Sequence, residues 1–185
     1  MTEALRVDPL TEDQIRSAGL QAWLEQRKLD DLATFLDLPF PDSNRDEDWR
    51  RTDVSGIDPR AYGLPDSPGP AADAGAELAA QGVVVSSLEA AAQSHSELVQ
   101  RYLEHEVVPA AAGKFAALNA AFWRGGVFVH VPRGVTATIP VRAVFGPPLG
   151  VDGPQAILPR SLVVVEDGAS LVYTCLLYTS DAADE

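Results

Sequence analysis

The hydrophobic periodicity of this sequence changes once, and that change restricts the fold more than any other feature. Before Trp123 the apolar residues recur every three or four positions, which is typical of amphipathic helices. From Val127 onward they alternate, as in GGVFVHVPRGV, which is typical of half-buried strands. Because the helices precede the strands and do not alternate with them, the order favours an α+β chain over a doubly wound sheet.

Two glycine turns in the strand region share one pattern. VPRGVTA begins at Val131 and VEDGASL begins at Val165, so the pattern recurs after 34 residues with Gly134 and Gly168 in equivalent places. If each copy is one turn of a solenoid, it buries its apolar face only when the next turn stacks on it. Two copies do not establish a repeat. They favour an all-β region that ends in an open strand edge, which is an aggregation liability.

The first part of the chain predicts one or two helices. TEDQ offers Thr11 as an N-cap and Gln14 three residues later, a weak capping box. The helical spacing continues to LPFPD, where Pro39 and Pro41 cannot donate backbone hydrogen bonds and should end the helix.

The middle of the chain is predicted from short motifs. DEDWRR reads as a short helix with Trp49 as a buried anchor, and residues 59–76 read as a Pro/Gly/Ala-rich loop. A short strand over 83–85 should feed one helix over about 87–104. A second short helix is predicted at KFAALNAAFW.

These elements predict a helical N-terminal domain over 1–124, with the loop at about 59–76 inside it, and a strand domain over 125–174. The remaining residues, 175–185, read CLLYTSDAADE, which back-translates into the reverse complement of a transposase-type sequencing-library adapter. We therefore expect this tail to be non-native and exclude it from fold reasoning. Sequencing the source gene across the Thr174 codon would test this expectation.

Composition excludes several classes of function. The 14 basic residues against 27 acidic ones give a net charge of −13, which becomes −10 without the three acidic residues of the tail. Nucleic acid and anionic membrane are therefore poor partners. No apolar run approaches the roughly 20 residues that span a bilayer, and no secretory signal is visible, so a cytoplasmic protein is expected.

No catalytic or ligand residue is predicted. His95 and His105 do not have the i, i+4 spacing of a helical metal pair, and His130 within VFVHVP is best interpreted as structural. Cys175, the only cysteine, lies in the suspect tail. The sequence contains no phosphate loop, nucleophile elbow or HExxH motif, so we expect no enzyme activity from these residues.

Three blocks carry a resemblance. DEDWRRTDVSGI, KFAALNAAFWRGGVFVHVPRGVTATIPVRAVF and PRSLVVVEDGASLVYT together resemble the SufB/SufD family of iron-sulfur cluster assembly scaffold proteins. EDWRRTD after a Pro-rich LPFPD makes the sequence look more like SufD, whereas the central block is shared by both branches. The resemblance covers about residues 21–174.

The resemblance implies a helical N-terminal domain followed by the first coils of a right-handed parallel β-helix, here truncated. It also implies a non-catalytic subunit that pairs with a SufB-type sister scaffold and a SufC-type ABC ATPase, with the iron-sulfur cluster on the assembled complex. The family's cluster-handling and ATPase-binding residues match no position from 1 to 174. No cofactor or metal residue is therefore expected in this fragment.

Other functions remain open. The nearest alternative is the sister SufB-type subunit, and a more remote one is a left-handed β-helix acyltransferase with a helical prefix. The latter would show a small aliphatic residue at every sixth position, which residues 127–145 do not. A metal-binding cupin would need a paired His-x-His, and His130 stands alone.

Overall fold

The computed structural model describes residues 10–64, 75–104, 107–146 and 155–177, without the side chain of residue 60. Within them lie six α-helices, five strands and three short 3-10 turns. The helices are α1 (Glu12–Ser17), α2 (Ala22–Asp37), α3 (Gly75–Ala80), α4 (Leu88–Ser94), α5 (Ser96–Glu104) and α6 (Lys114–Phe122). The strands are β1 (Val84–Ser87), β2 (Val127–Val131), β3 (Val141–Phe145), β4 (Leu162–Val165) and β5 (Tyr173–Leu177). The 3-10 turns are Glu47–Trp49, Pro59–Ala61 and Ala110–Ala112. The mixed α+β class predicted from the sequence is confirmed.

The chain forms two compact units that interleave along the sequence. Unit 1 comprises residues 1–64, 105–123 and 152–156, and unit 2 comprises residues 65–104, 124–151 and 157–185. Unit 1 contains α1, α2 and α6, and unit 2 contains α3 to α5 and all five strands. The domain bounds predicted from the sequence stay predictions.

In unit 1, α2 packs on α6. Leu24, Leu32 and Phe35 lie on one side of α2 at helical spacing and are buried. The helix ends at Asp37 and Leu38 donates its N–H to the Thr34 carbonyl, so the predicted stop before LPFPD is confirmed.

Two buried lysines join these helices at both ends. Lys114, the first residue of α6, donates to the carbonyl oxygens of Phe35 and, at 2.7 Å, of Leu38 at the end of α2. Lys28 in α2 donates at 2.9 Å to the carbonyl of Trp123, which follows α6. The last carbonyls of a helix lack intrahelical partners, so each lysine caps the other helix. The two helices therefore run in opposite directions.

An aromatic row covers part of this helix pair. Phe40 packs edge-on against Phe35 and Phe115, with ring centroids 6.5 and 6.1 Å apart. The Trp49 ring lies 5.4 Å from Phe115. Trp49 is therefore the anchor that the sequence predicts, but it is only half-buried, because it packs on the outside of α6.

In unit 2 the strands form two ladders. β2 lies between β1, which is antiparallel to it, and β4, which is parallel. β3 pairs with β5, also in parallel. Val131 lies opposite Val165, so the register of β2 and β4 equals the 34-residue offset of the sequence pattern. Val141 lies opposite Tyr173, an offset of 32, because the connection from β4 to β5 is two residues shorter than that from β2 to β3.

The two glycine turns stack as the strands do. Gly134 has φ +74° and Gly168 has φ +70°, both in the left-handed region that favours glycine. The Gly134 N–H donates to the Asp167 carbonyl at 3.0 Å, which joins one turn to the next. We call β2, its turn and β3 the first turn, and β4, its turn and β5 the second turn.

The core of unit 2 lies between the ladders and α3. Its buried members come from α3, β2, β3 and the segment before β1: Leu78, Val83, Val127, Val129, Val131, Val141, Ala143 and Phe145. The other side of β2 carries Phe128, which is fully buried, and His130. α4 contacts this strand. Alternate residues of β2 therefore serve two different layers.

Several local predictions were wrong in detail. The helix predicted over 87–104 is two helices, because the backbone of His95 leaves the helical region with φ −129° and ψ 40°. The strand predicted at 83–85 begins at Val84 and extends to Ser87. Thr11 precedes α1 but its side chain makes no cap hydrogen bond, and the predicted capping box is absent there. DEDWRR forms a 3-10 turn, and the loop predicted over 59–76 contains another at Pro59–Ala61 and the start of α3.

Candidate functional site

Within the described ranges no group of three or more His, Cys, Asp or Glu residues could hold a metal ion. His105 lies outside the described residues. The groups that remain from the sequence analysis are His95, His130 and Cys175.

His130 takes part in a polar cluster on the paired glycine turns. Its Nε2 lies 2.9 Å from Oε1 of Glu166, and its side chain is 17% exposed. The other carboxylate oxygen of Glu166 accepts the N–H of Arg133 at 3.1 Å. We call His130, Arg133, Glu166 and Asp167 the turn cluster.

The electrostatics of the turn cluster follow from these contacts. The hydrogen bond from His130, followed by that from the Arg133 N–H, lowers the pKa of Glu166 below its ordinary value. Arg133 also pairs with Asp167 at 2.6 Å, but both side chains are largely exposed, so that pair contributes little.

The turn cluster is built to hold two turns together. Both carboxylate oxygens of Glu166 make hydrogen bonds to residues of the first turn. The backbone N–H of Glu166 donates to the Val131 carbonyl at 3.1 Å. The two carboxylate oxygens of Glu166 are therefore occupied, one by His130 and the other by the backbone N–H of Arg133. The interpretation of His130 as a structural residue stays a prediction.

Glu166 could have been found from the sequence. The 34-residue register places Val164 opposite His130, and Glu166 follows two residues later, on the same side of the ladder. The repeat pattern contains that signal, but His130 was considered alone.

His95 lies at the break between α4 and α5. Its Nδ1 is 2.8 Å from Oγ of Ser94, and that hydroxyl donates to the Ala90 carbonyl at 2.9 Å. The Ser94 hydroxyl has one proton, so in the tautomer of His95 with a proton on Nδ1 the ring donates to Ser94 while Ser94 donates to the carbonyl. The ring packs near Phe128, with centroids 6.0 Å apart. His95 borders a shallow depression of about 590 Å³ formed by residues 93–98 and Arg101.

Cys175 is exposed in β5, where its backbone lies opposite Ala143. Among the described residues, no hydrogen bond or ring contact joins Cys175 to His95 or His130. The prediction that residues 175–185 are non-native stays a prediction.

The middle of the chain is similar to known proteins. The family model of the SufBD protein N-terminal region matches residues 70–143. An iron-sulfur cluster assembly SufBD family protein of Staphylococcus aureus (strain USA300) is 36% identical over 110 residues, which are 57% of this chain and 23% of the relative. A protein of the same description from Staphylococcus haemolyticus has the same identity and coverage. The chain therefore spans about a quarter of the length of these relatives.

Within the described residues no helix is long and apolar enough to cross a membrane.

Proposed function

On the premise that residues 70–143 make this chain a member of the SufB/SufD family, we propose that it is a SufD-like subunit of the Suf iron-sulfur cluster assembly scaffold. It acts in the cytoplasm as a non-catalytic component. Its partners are a SufB-type sister subunit and a SufC-type ABC ATPase. The iron-sulfur cluster is the cargo of the assembled complex, and no residue of this fragment ligates it.

One observation supports the proposal most strongly. The family match covers β2 and ends inside β3, and the strand that stacks on β2 in parallel, β4, lies beyond the matched residues. In this second turn, β4 and the glycine turn repeat the first turn at an offset of 34 residues, and β5 repeats β3 at an offset of 32. The family match of residues 70–143 is thus followed by a second turn that pairs in parallel with the first. Repeated parallel turns are what a β-helix scaffold requires.

We infer further that the two turns are the first coils of a right-handed parallel β-helix. Parallel ladders with matching glycine turns support it, since each turn uses its neighbour to satisfy its backbone hydrogen bonds. The 34-residue period also disfavours the acyltransferase alternative, whose coils would repeat in hexapeptides.

The SufB-type subunit is the alternative within the family. EDWRRTD following LPFPD favours SufD, and it lies outside the matched residues 70–143. The uninterrupted gene would decide between the branches through its downstream sequence.

The proposal is tested with the uninterrupted gene product. We expect it to co-purify with a tagged ABC-type ATPase and a SufB-type subunit from cells that express all three. The 185-residue chain is the matched control, because no part of it matches the family's ATPase-binding helices, and it should not retain the ATPase. A full-length product that never binds the ATPase contradicts the scaffold role.

A further inference from the structure

The helix α2 carries two apolar stripes, and the core of unit 1 buries only one of them. The buried stripe is the one that Leu24 begins and Phe35 ends. The second stripe consists of Leu29, Ala33 and Leu36, at successive intervals of four and three residues. That spacing is typical of a helix face that packs on another element. Leu29 is half-buried, but Ala33 is exposed and Leu36 is 70% exposed, so the C-terminal half of this stripe is open to solvent.

Further apolar side chains are exposed at the same end of α2. Phe40, which follows the helix, is 38% exposed although its ring packs on two other aromatic rings. Lys114, the first residue of α6, donates to the Leu38 carbonyl at 2.7 Å, so α6 begins at this end. Val107 and Val108 precede α6 and are 97% and 56% exposed, and the 3-10 turn that follows them contacts α2. We call the following residues the apolar patch: Leu29, Ala33, Leu36, Phe40, Val107 and Val108.

Carboxylates border the apolar patch. Asp30 and Asp37 come one and eight residues after Leu29, which places both about 80–100° around the helix from it. Both side chains are exposed. Among the exposed residues of α2, all of which the structure describes, there is no lysine or arginine. Arg27 is half-buried and pairs with Asp31 at 3.9 Å. One side of the patch is therefore negatively charged.

This charge discriminates among the partners that could cover the patch. A second copy of the chain would bring the same carboxylates and a further net charge of −13. Nucleic acid and an anionic membrane surface would be repelled in the same way. A basic partner with an apolar side is complementary to both features of this surface.

We propose that the apolar patch is a docking surface for a basic amphipathic helix of another protein. The apolar face of that helix packs on Leu36 and Phe40, and its lysines or arginines lie beside Asp30 and Asp37. Docking of an amphipathic helix uses anchors at the spacing that the second stripe has. Exposed apolar side chains that are gathered in one place, unlike scattered ones, mark such interaction sites. This inference goes beyond the scaffold role and does not depend on it.

A designed peptide is the probe for this surface. It is a fluorescein-labelled helix of about 18 residues, with leucines on one face and lysines on the other. Fluorescence anisotropy measures its binding to the 185-residue chain. We expect saturable binding that weakens as the salt concentration rises, because salt screens the charged part of the contact. The same peptide with glutamate in place of lysine should not bind.

Variants of the chain locate the peptide on the patch. Leu36→Ser should weaken binding about tenfold, because this side chain no longer contributes apolar burial. Asp30→Asn combined with Asp37→Asn should weaken binding and reduce its dependence on salt. The matched controls are Leu177→Ser, which replaces a leucine that is 60% exposed in unit 2, and Glu97→Gln, which neutralises an exposed carboxylate there. Both controls should bind the peptide as the unmodified chain does, and circular dichroism checks that every variant is folded.

The docking surface is overturned if the lysine peptide does not bind, or if the glutamate peptide binds equally well. It is also overturned if folded Leu36→Ser keeps the affinity of the unmodified chain, or if Leu177→Ser lowers the affinity as much. An unchanged affinity of the double aspartate variant overturns the basic character of the partner. Sedimentation velocity tests for a second copy, and self-association that Leu36→Ser abolishes would assign the patch to a homodimer and overturn the proposal. None of these results involves the ATPase, so each leaves the scaffold proposal intact.

Discussion

Lys114 shows how a single buried charge organises unit 1. Burial lowers the pKa of Lys114 below its ordinary value of 10.5, and the Asp37 carboxylate opposes that shift. Lys114→Met leaves the Phe35 and Leu38 carbonyls without their lysine donor, so we expect the free energy of unfolding to fall by about 1–3 kcal/mol at neutral pH. Urea unfolding followed by tryptophan fluorescence measures this loss.

The pH dependence of the same variant has a definite sign. Between the lowered pKa of folded Lys114 and 10.5, the unfolded chain binds more protons at this residue than the folded chain does. Stability due to Lys114 therefore rises with pH across that window. We expect the difference between the unmodified chain and Lys114→Met to grow as the pH approaches 10.5. A difference that shrinks instead contradicts the assigned burial. Lys28→Met, which removes the opposite cap, is the control for loss of a carbonyl donor.

Trp49 is the second residue whose role can be measured. Full burial of the ring would make Trp49→Ala cost at least 3 kcal/mol, but the ring is half-buried on Phe115. We therefore expect a loss of about 2 kcal/mol in the free energy of unfolding. Arg50→Ala, an exposed neighbour in a surface ion pair, should cost about 0.5 kcal/mol or less. Equal effects of the two substitutions would show that the aromatic packing contributes nothing.

Gly134 tests the geometry of the paired turns. Its φ of +74° suits glycine, and no atom lies within 4 Å of the Cβ that a substitution would add. The cost of Gly134→Val is therefore conformational, and we expect about 2 kcal/mol because a β-branched side chain disfavours this region. Gly56→Ala, which has equal space and no left-handed φ, should change stability by less than about 0.5 kcal/mol. Thermal unfolding of both variants makes the comparison, and unchanged stability of Gly134→Val would refute the turn assignment.

At the scale of elements, the sequence predicts what depends on local pattern. The period change at Trp123 marks the end of α6, and the 34-residue echo predicts the register in which β4 stacks on β2. β1 lies antiparallel to β2 across some forty residues of chain, and nothing in VVSS specifies that partner. The sequence does not predict the helix break at His95 either, because the apolar spacing continues through that residue. Tertiary packing decides both features.

A residue type that is favoured at helix N-caps does not always make the cap hydrogen bond. Thr11 has the residue type of an N-cap, yet Ser87 makes the bond, its Oγ accepting the Ala90 N–H at 3.1 Å at the start of α4. We expect Ser87→Ala to lower the free energy of unfolding by about 1 kcal/mol. Thr11→Ala is the matched control, because its side chain makes no cap bond, and chemical denaturation should find it close to neutral. The reverse order of effects would contradict the cap assignment.

At the scale of the whole molecule, the sequence indicates a resemblance to a known family and predicts no functional residue. Residues 70–143 match the family model, whereas the chain covers only 23% of its relatives. The contacts of the described residues stabilise the fold: carbonyl caps in unit 1 and the turn cluster in unit 2.

The tail, residues 175–185, begins inside β5, the last strand of the second turn. We interpret it as non-native all the same. Cys175, Leu176 and Leu177 continue β5 opposite β3, but all three are exposed, so they contribute backbone hydrogen bonds and little burial. Deleting residues 175–185 should therefore leave the remaining fold in place and improve solubility by removing exposed leucines. We expect the melting temperature to fall by no more than about 4 °C, equivalent to about 1 kcal/mol for a chain of this size. Circular dichroism during heating gives this value, and Cys175→Ser is the control for the thiol alone. Loss of cooperative unfolding on deletion would show that β5 needs these residues, and that the tail interpretation is wrong.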